Sequence, residues 1–407
     1  MSRLPDPLHA DTLHADTAAV HGGIQRSQFE ETAEALYLTS GYVYGSAEEA
    51  AEAFDGACER YIYSRYGNPT VQMFIDRLCA IEGAEAGAAT ASGMSAVFTA
   101  LLGLLRKGDR LVGSRALFGS CAHICSHILP RYGIETELID GNDLAAWEQA
   151  LARPAKAVFL ETPTNPQLDI IDLKAVSALA HAAGAEVVID NVFATPLLQK
   201  PLELGADIVV YSATKHIDGQ GRCLGGAILG SRQFCDEALQ PFIRHTGPSM
   251  SPFNAWILLK GLETLVVRVE RQCRTAMEVA RWLEGQAGVR RVIYPFLDSH
   301  PQAALARRQM RAGGTVVTFE IEGGRPEAFA LLNALRLIPI SNNLGDAKSL
   351  ATHPASTTHH RIGAEGRAAV GIGEDMIRLS LGLEHPEDLI RDLNRAGVGN
   401  GADHREV

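Results

Sequence analysis

A chain of 407 residues, 46% hydrophobic and 21% charged, is long enough for two or three domains and too apolar to be disordered throughout. Its net charge of −11 excludes the broad basic field that a nucleic-acid partner needs, leaving room only for local basic pockets. Seven cysteines, an odd number without a C-x-x-C pair, read as free thiols of a reducing compartment. The opening M-S-R-L-P-D-P-L-H-A-D has no apolar core and carries acids early, so no leader is expected and the cytoplasm is the expected location.

Residues 1 to about 45 are polar, glycine-punctuated and without periodicity, which suits an arm lying over another surface. Ser46 to Phe54 reads as a short helix, with Ser46 as cap and Glu49 completing a capping box. In Y-I-Y-S-R-Y-G-N-P-T, residues 61 to 70, Asn68 can cap a helix with Pro69 at its first position and Val71, Phe74, Ile75 and Leu78 on one face. Tyr63 and Arg65 precede it in a loop. Such a pair is commonly plain surface, and it is also a phosphate clamp.

Ala86 to Leu105 is uncharged and as long as a membrane span. Its first half is Ala, Gly, Thr and Ser, however, and a helix signal starts only near Ser92, so no membrane partner is expected. A-S-G-M-S-A, residues 91 to 96, puts the amides of Gly93 and Met94 at a helix N-terminus, where they can hold an anion. Neither G-x-G-x-x-G nor a Walker lysine is there, which argues against a nucleotide. Cys121, His123, Cys125 and His127 have the look of metal ligands. On a helix, though, the two cysteines and the two histidines form separate rows on different faces, so no metal is expected.

From 86 to 230 short apolar runs alternate with helical segments: Leu111 to Gly113, Ile134 to Ile139, Ala157 to Leu160, Val187 to Ile189, Ile208 to Tyr211 and Ala227 to Leu229. Alternation of this kind predicts an α/β fold, a largely parallel sheet covered by helices with its ligand at the carboxyl edge. Three runs end in polar residues at that edge. E-T-P-T-N-P places Asn165 after one strand, and V-V-I-D-N ends a second in Asp190, a carboxylate able to keep a pyridine nitrogen protonated. D-I-V-V-Y-S-A-T-K-H-I-D-G-Q-G ends a third in Ser212, Thr214 and Lys215. A lysine there is often only a solvated group; beside these neighbours it can form a Schiff base with a carbonyl cofactor, while the hydroxyls bond a phosphate.

Beyond about 266 a long helical stretch leads into a smaller α+β region, with strands expected at Thr315 to Ile321, Leu337 to Ile340 and Met376 to Leu381 and a closing helix at 387 to 396. Residues 341 to 360 are too polar and glycine-marked to be core. The expected division is an N-terminal arm at 1–65, a large domain at 66–266 and a small domain at 267–407.

Y-S-R-Y-G-N-P-T, A-S-G-M-S-A, T-P-T-N-P, D-N-V-F-A-T-P, Y-S-A-T-K-H-I-D-G, S-N-N-L-G-D-A-K-S-L and I-R-L-S-L-G-L-E stand in one chain in this order. Together they resemble the cystathionine γ-synthase family of pyridoxal-phosphate enzymes of sulfur amino-acid metabolism, from about residue 15 to 398. The resemblance implies a fold-type I enzyme, with a mostly parallel, seven-stranded-type sheet in the large domain and pyridoxal 5'-phosphate as cofactor. It implies Lys215 as the lysine that binds the cofactor covalently, Asp190 on the pyridine nitrogen, and Gly93, Met94, Ser212 and Thr214 on the phosphate. Tyr63 and Arg65 would reach that phosphate from a neighbouring subunit of a homotetramer built from two catalytic dimers. Arg378 would grip the substrate α-carboxylate, helped by Asn165 and Ser341.

Within the family, G-D-A-K-S-L-A-T-H-P-A-S-T-T-H looks like the sulfhydrylases, since the lyases usually carry glutamate where this chain has Lys348. Phe118, in R-A-L-F-G-S, replaces the usual tyrosine at the cofactor face, and Val192 replaces a threonine. The implied reaction replaces the γ-acyloxy group of O-succinylhomoserine by sulfide to give homocysteine. Use of the acetyl ester, cystathionine synthesis, methionine γ-lysis and a catalytically silent cofactor carrier stay open as alternatives.

Overall fold

The computed structural model describes residues 13–58 and 60–399, so the ends of the expected arm and of the small domain lie outside it. Seven strands build one sheet: β1 (Ala86–Thr90), β2 (Arg110–Ser114), β3 (Glu135–Ile139), β4 (Ala157–Glu161), β5 (Glu186–Asp190), β6 (Ile208–Ser212) and β7 (Gly226–Gly230). Their spatial order is β1-β7-β6-β5-β4-β2-β3, and β7 alone runs against the rest. β4 and β6 read A-V-F-L-E and I-V-V-Y-S, continuous apolar runs, because helices cover both faces and leave no solvent side.

Expected and observed strands agree in this sheet except for β1, A-G-A-A-T, whose small residues have little strand character. Gly87 shows why they are small: a Cβ there would lie 2.5 Å from the Leu229 side chain on β7. The uncharged stretch that continues from β1 becomes the helix Gly93–Leu104, capped by Ser92 and buried along one side. Among the described residues no helix is long and apolar enough to cross a membrane.

A second sheet of four strands, β8 (Val289–Ile293), β9 (Val316–Ile321), β10 (Leu350–Thr352) and β11 (Met376–Ser380), is ordered β10-β11-β9-β8 and antiparallel throughout. Two expectations fail here. Leu337 to Ile340 forms no strand, only a single bridge from Ile340 to Ala351. The stretch 341–360, read as loop, contributes β10, and Leu344, Leu350, Ala351 and Ala355 are buried. A three-residue strand is too short to show a period, so surrounding polar residues hide it.

Helix starts follow local chemistry. Asn68 accepts from the amides of Thr70 and Val71, at 2.9 and 3.4 Å, with Pro69 at the first position of the helix Pro69–Glu82. Phe74, Ile75 and Leu78 are buried, with Val71 packed against them. Ser46 caps Ala47–Phe54 through the Glu49 amide, 3.1 Å, while the Glu49 carboxylate accepts from Gly45, one residue before the position a capping box requires. The expected arm is not all arm: the helix Ala15–His21 packs Ala18 and Ala19 into the core beside Pro69–Glu82. The cysteine–histidine cluster splits as its spacing requires, with Cys121 and Cys125 buried and the rings of His123 and His127 stacked 4.5 Å apart outside. Among the described residues no group of His, Cys, Asp or Glu is arranged to hold a metal ion.

Candidate active site

The carboxyl ends of β4, β5 and β6 bring Glu161, Asp190 and Ser212 to one edge of the sheet. Glu161 and Asp190 are direct partners across the parallel ladder, because each is the last residue of its strand. A cavity of about 250 Å³ opens there, lined by Gly93, Met94, Phe118, Asn165, Asp190, Ser212, Thr214, Lys215 and Arg378 among others. Those are nine of the residues that the sequence singles out. They come from both sheets, the start of the helix Gly93–Leu104 and three loops.

Gly93 must be glycine because the helix start presses against β6: a Cβ there would sit 2.5 Å from that of Ser212. This packing puts the start of the helix beside Ser212, and both line the cavity with Thr214. Thr214 exchanges hydrogen bonds with Gly225, accepting from its amide at 3.1 Å.

Lys215 Nζ donates to Asn343 Oδ1 at 2.5 Å. Burial, aided by the Arg378 charge and opposed by Asp190, lowers its pKa to about 8. Asp190 Oδ1 accepts from the Val192 amide at 3.0 Å. Burial raises its carboxyl to about 6 against that hydrogen bond and the Lys215 charge.

Arg378, on β11, reaches across from the second sheet and is 1% exposed. Its Nη1 donates to Asn165 Oδ1 at 2.9 Å, and Nη2 donates to the carbonyls of Asn342 and Asn343 at 2.9 and 3.1 Å. Its Nε has no partner, and no carboxylate among the described residues pairs with it. Burial lowers its pKa to about 10. An unpaired buried guanidinium is costly unless an anion completes it.

Glu161 is a wall residue that the sequence reading does not single out. Its carboxylate accepts from the Phe118 amide at 2.7 Å and the Asn165 amide at 3.0 Å, so one side chain holds both the aromatic wall and the Arg378 partner. Burial first, then the neighbouring Asp190 charge, pushes its carboxyl well above the usual range. The same strand-end position that marks Asp190 marks Glu161. Asn342, Asn343 and Thr358 also belong to the site; they lie within the motifs at 341–350 and 345–359, which do not single them out.

Three expected residues do not line the cavity of their own chain. Ser341 is adjacent, its hydroxyl accepting from the Asn343 amide at 3.3 Å, and so shapes the loop instead. Tyr63 is 42% exposed, and Arg65 lies over the Tyr66 ring, 4.8 Å from its centroid, while donating to the Arg244 carbonyl. Tyr63 is exposed and Arg65 half-buried, and neither lines this cavity.

A lysine, a carboxylate, hydroxyls with helix amides, and an anion-seeking arginine in one cavity fit a phosphorylated pyridine aldehyde and an amino acid. The family model of Cys/Met metabolism PLP-dependent enzymes matches residues 16–397. The chain belongs to this family. Its fold is that of the fold-type I enzymes, and its cofactor is pyridoxal phosphate. O-succinylhomoserine sulfhydrylase of Mycobacterium tuberculosis is 60% identical over 398 residues, covering 97% of this chain and 98% of that one. The Pseudomonas aeruginosa protein of the same name is 46% identical over 380 residues, covering 93% and 94%. A solved Campylobacter jejuni chain that carries N'-pyridoxyl-lysine-5'-monophosphate superposes with a TM-score of 0.90 at 32% identity, covering 94% of this chain and 99% of that one.

Proposed function

We propose that this enzyme replaces the γ-succinyloxy group of O-succinylhomoserine with sulfide, releasing homocysteine and succinate. Arg378 is the observation that carries the reading. Its unpaired guanidinium is offered to an α-carboxylate in the same cavity as Lys215, with Asn165 holding the guanidinium and Ser341 holding the loop that supplies its carbonyl partners. Names of the two relatives supply the ester and the nucleophile.

In this reading Lys215 holds the cofactor and Asp190 holds its pyridine nitrogen. Gly93, Met94, Ser212 and Thr214 hold its phosphate, and Phe118 covers its ring. When bound, the cofactor supplies an electron sink that acidifies the substrate's α-proton. Lys215 Nζ takes the proton from Cα, and burial favours the neutral amine that this requires. A second proton lost from Cβ leaves the electron pair that expels succinate from Cγ, hydrosulfide forms the new C–S bond at that carbon, and protons return to Cβ and Cα, with Lys215 as the carrier. Carboxylic acids have a pKa near ~4, so succinate departs without a proton donor. That suits a cavity whose ring at 118 is phenyl.

Tyr63 and Arg65 complete the phosphate site of a neighbouring subunit, within a cytoplasmic homotetramer of two catalytic dimers. Their position outside their own cavity supports this arrangement. The two sheets, lying on either side of residue 266, support the division into a large domain at 66–266 and a small domain at 267–407 behind an arm at 1–65.

The visible absorption of the loaded enzyme separates this reading from a silent carrier. O-succinylhomoserine should shift the cofactor band and release succinate. A band indifferent to every amino acid would contradict catalysis.

A further inference from the structure

Beside the cofactor cavity lies a second, wider recess of about 1220 Å³ that shares Met94, Phe118, Asn342 and Thr358 with it as a common wall. The two spaces therefore adjoin at Phe118, and on the reading above a substrate in the first carries its acyl group on Cγ.

The charge lining the recess has one sign. Arg361 stands on its rim, exposed, without an ion pair or hydrogen bond among the described residues, although Glu365 follows four residues later. The nearby Arg367, by contrast, is paired with Glu374 at 3.0 Å. His123 and His127 line the recess with rings stacked at an interplanar angle of 11°, and His127 Nδ1 lies 2.7 Å from Ser126 Oγ. No aspartate or glutamate lines the space, and most of its remaining surface is apolar.

We infer that this recess is the subsite for the acyl group of the ester, and that Arg361 selects an acyl chain ending in a carboxylate. The apolar wall suits methylene groups, and the stacked imidazoles offer ring N–H donors beside the guanidinium. An acetyl group presents only a methyl to the same surface and leaves the Arg361 charge unused, so discrimination comes from the distal carboxylate. The inference rests on the activity proposed above, and it accounts for a succinyl preference that the cofactor cavity by itself does not explain.

The test compares kcat/KM for O-succinylhomoserine and O-acetylhomoserine, with sulfide, in loaded wild type and loaded Arg361→Ala. The succinyl-to-acetyl ratio should fall about tenfold or more, chiefly through KM for the succinyl ester, with Arg361→Lys in between. Calorimetry of free succinate on the same loaded proteins gives a readout independent of turnover. Wild type should bind succinate more tightly than acetate, and the alanine variant should lose that advantage about tenfold. Equal losses on both esters, or succinate affinity unchanged by the substitution, would overturn the assignment. A wild type that turns over neither ester would instead contradict the activity, and the succinate titration would still decide the subsite.

Discussion

Phe118 and Tyr211 both line the cavity, and neither has a hydroxyl to give the substrate. Phe118 has none, and Tyr211 donates its own to Glu82 at 2.5 Å while accepting from Asn191 at 2.7 Å. A proton donor matters most when the leaving group is a thiolate, with a pKa of about 8.5, and least for a carboxylate near ~4. Wild type should therefore eliminate poorly from methionine or cystathionine. Phe118→Tyr should raise kcat/KM on those substrates relative to O-succinylhomoserine by tenfold or more. An unchanged ratio in a folded, loaded variant would make Phe118 a packing choice alone. Legibility at this scale depends on how far a role is local. Lys215 and Asp190 are readable because each ends an apolar run at the sheet edge. Glu161 ends one too, but its task depends on two amides from distant loops. Asn343 meets Lys215 through a chain separation of 128 residues, which no local pattern records.

Among the elements, the central strands are legible because burial on both faces turns them into unbroken apolar runs. β1 and β10 are not, one because close packing against β7 demands small residues and the other because three residues show no period. What ties the two sheets together is also hidden in the sequence. His216, next to Lys215, has its Nε2 2.7 Å from Thr315 Oγ1, at the entry to β9. Burial, helped by the Arg268 and Lys215 charges, depresses its pKa from 6.5 to about 3; burial likewise brings His300 and His359 to about 4. Below pH 6.5 the unfolded chain takes up protons that the folded chain refuses, so stability falls as pH falls from 6.5 toward 3 and is unaffected by these groups above 6.5. The raised Glu161 and Asp190 carboxyls act in the opposite sense over the same interval, so the readout is the difference between wild type and His216→Gln: the wild-type midpoint minus the variant's should fall as pH drops from 6.5 to 5. A difference constant across this interval would refute a neutral buried His216.

For the whole molecule, the proposal that chains share sites rests on Tyr63 and Arg65, which do not line the cavity of their own chain. Mixing Arg65→Ala subunits with Lys215→Ala subunits should restore activity in hybrid dimers, because one site per hybrid then carries both intact residues. Hybrids confirmed by mass spectrometry that stay as inactive as their parents would remove Tyr63 and Arg65 from the site. The overall α/β architecture and its ligand edge are readable from the alternation of runs, whereas the approach of Arg378 from the second sheet is a product of folding that spacing does not encode. Loaded wild type given O-succinylhomoserine and sulfide should form homocysteine and succinate in equal amounts, and Lys215→Ala should form neither at a rate within a thousandfold, a barrier difference of about 4 kcal/mol. Homocysteine absent from the wild-type reaction, or formed by Lys215→Ala within about tenfold of it, would contradict the account.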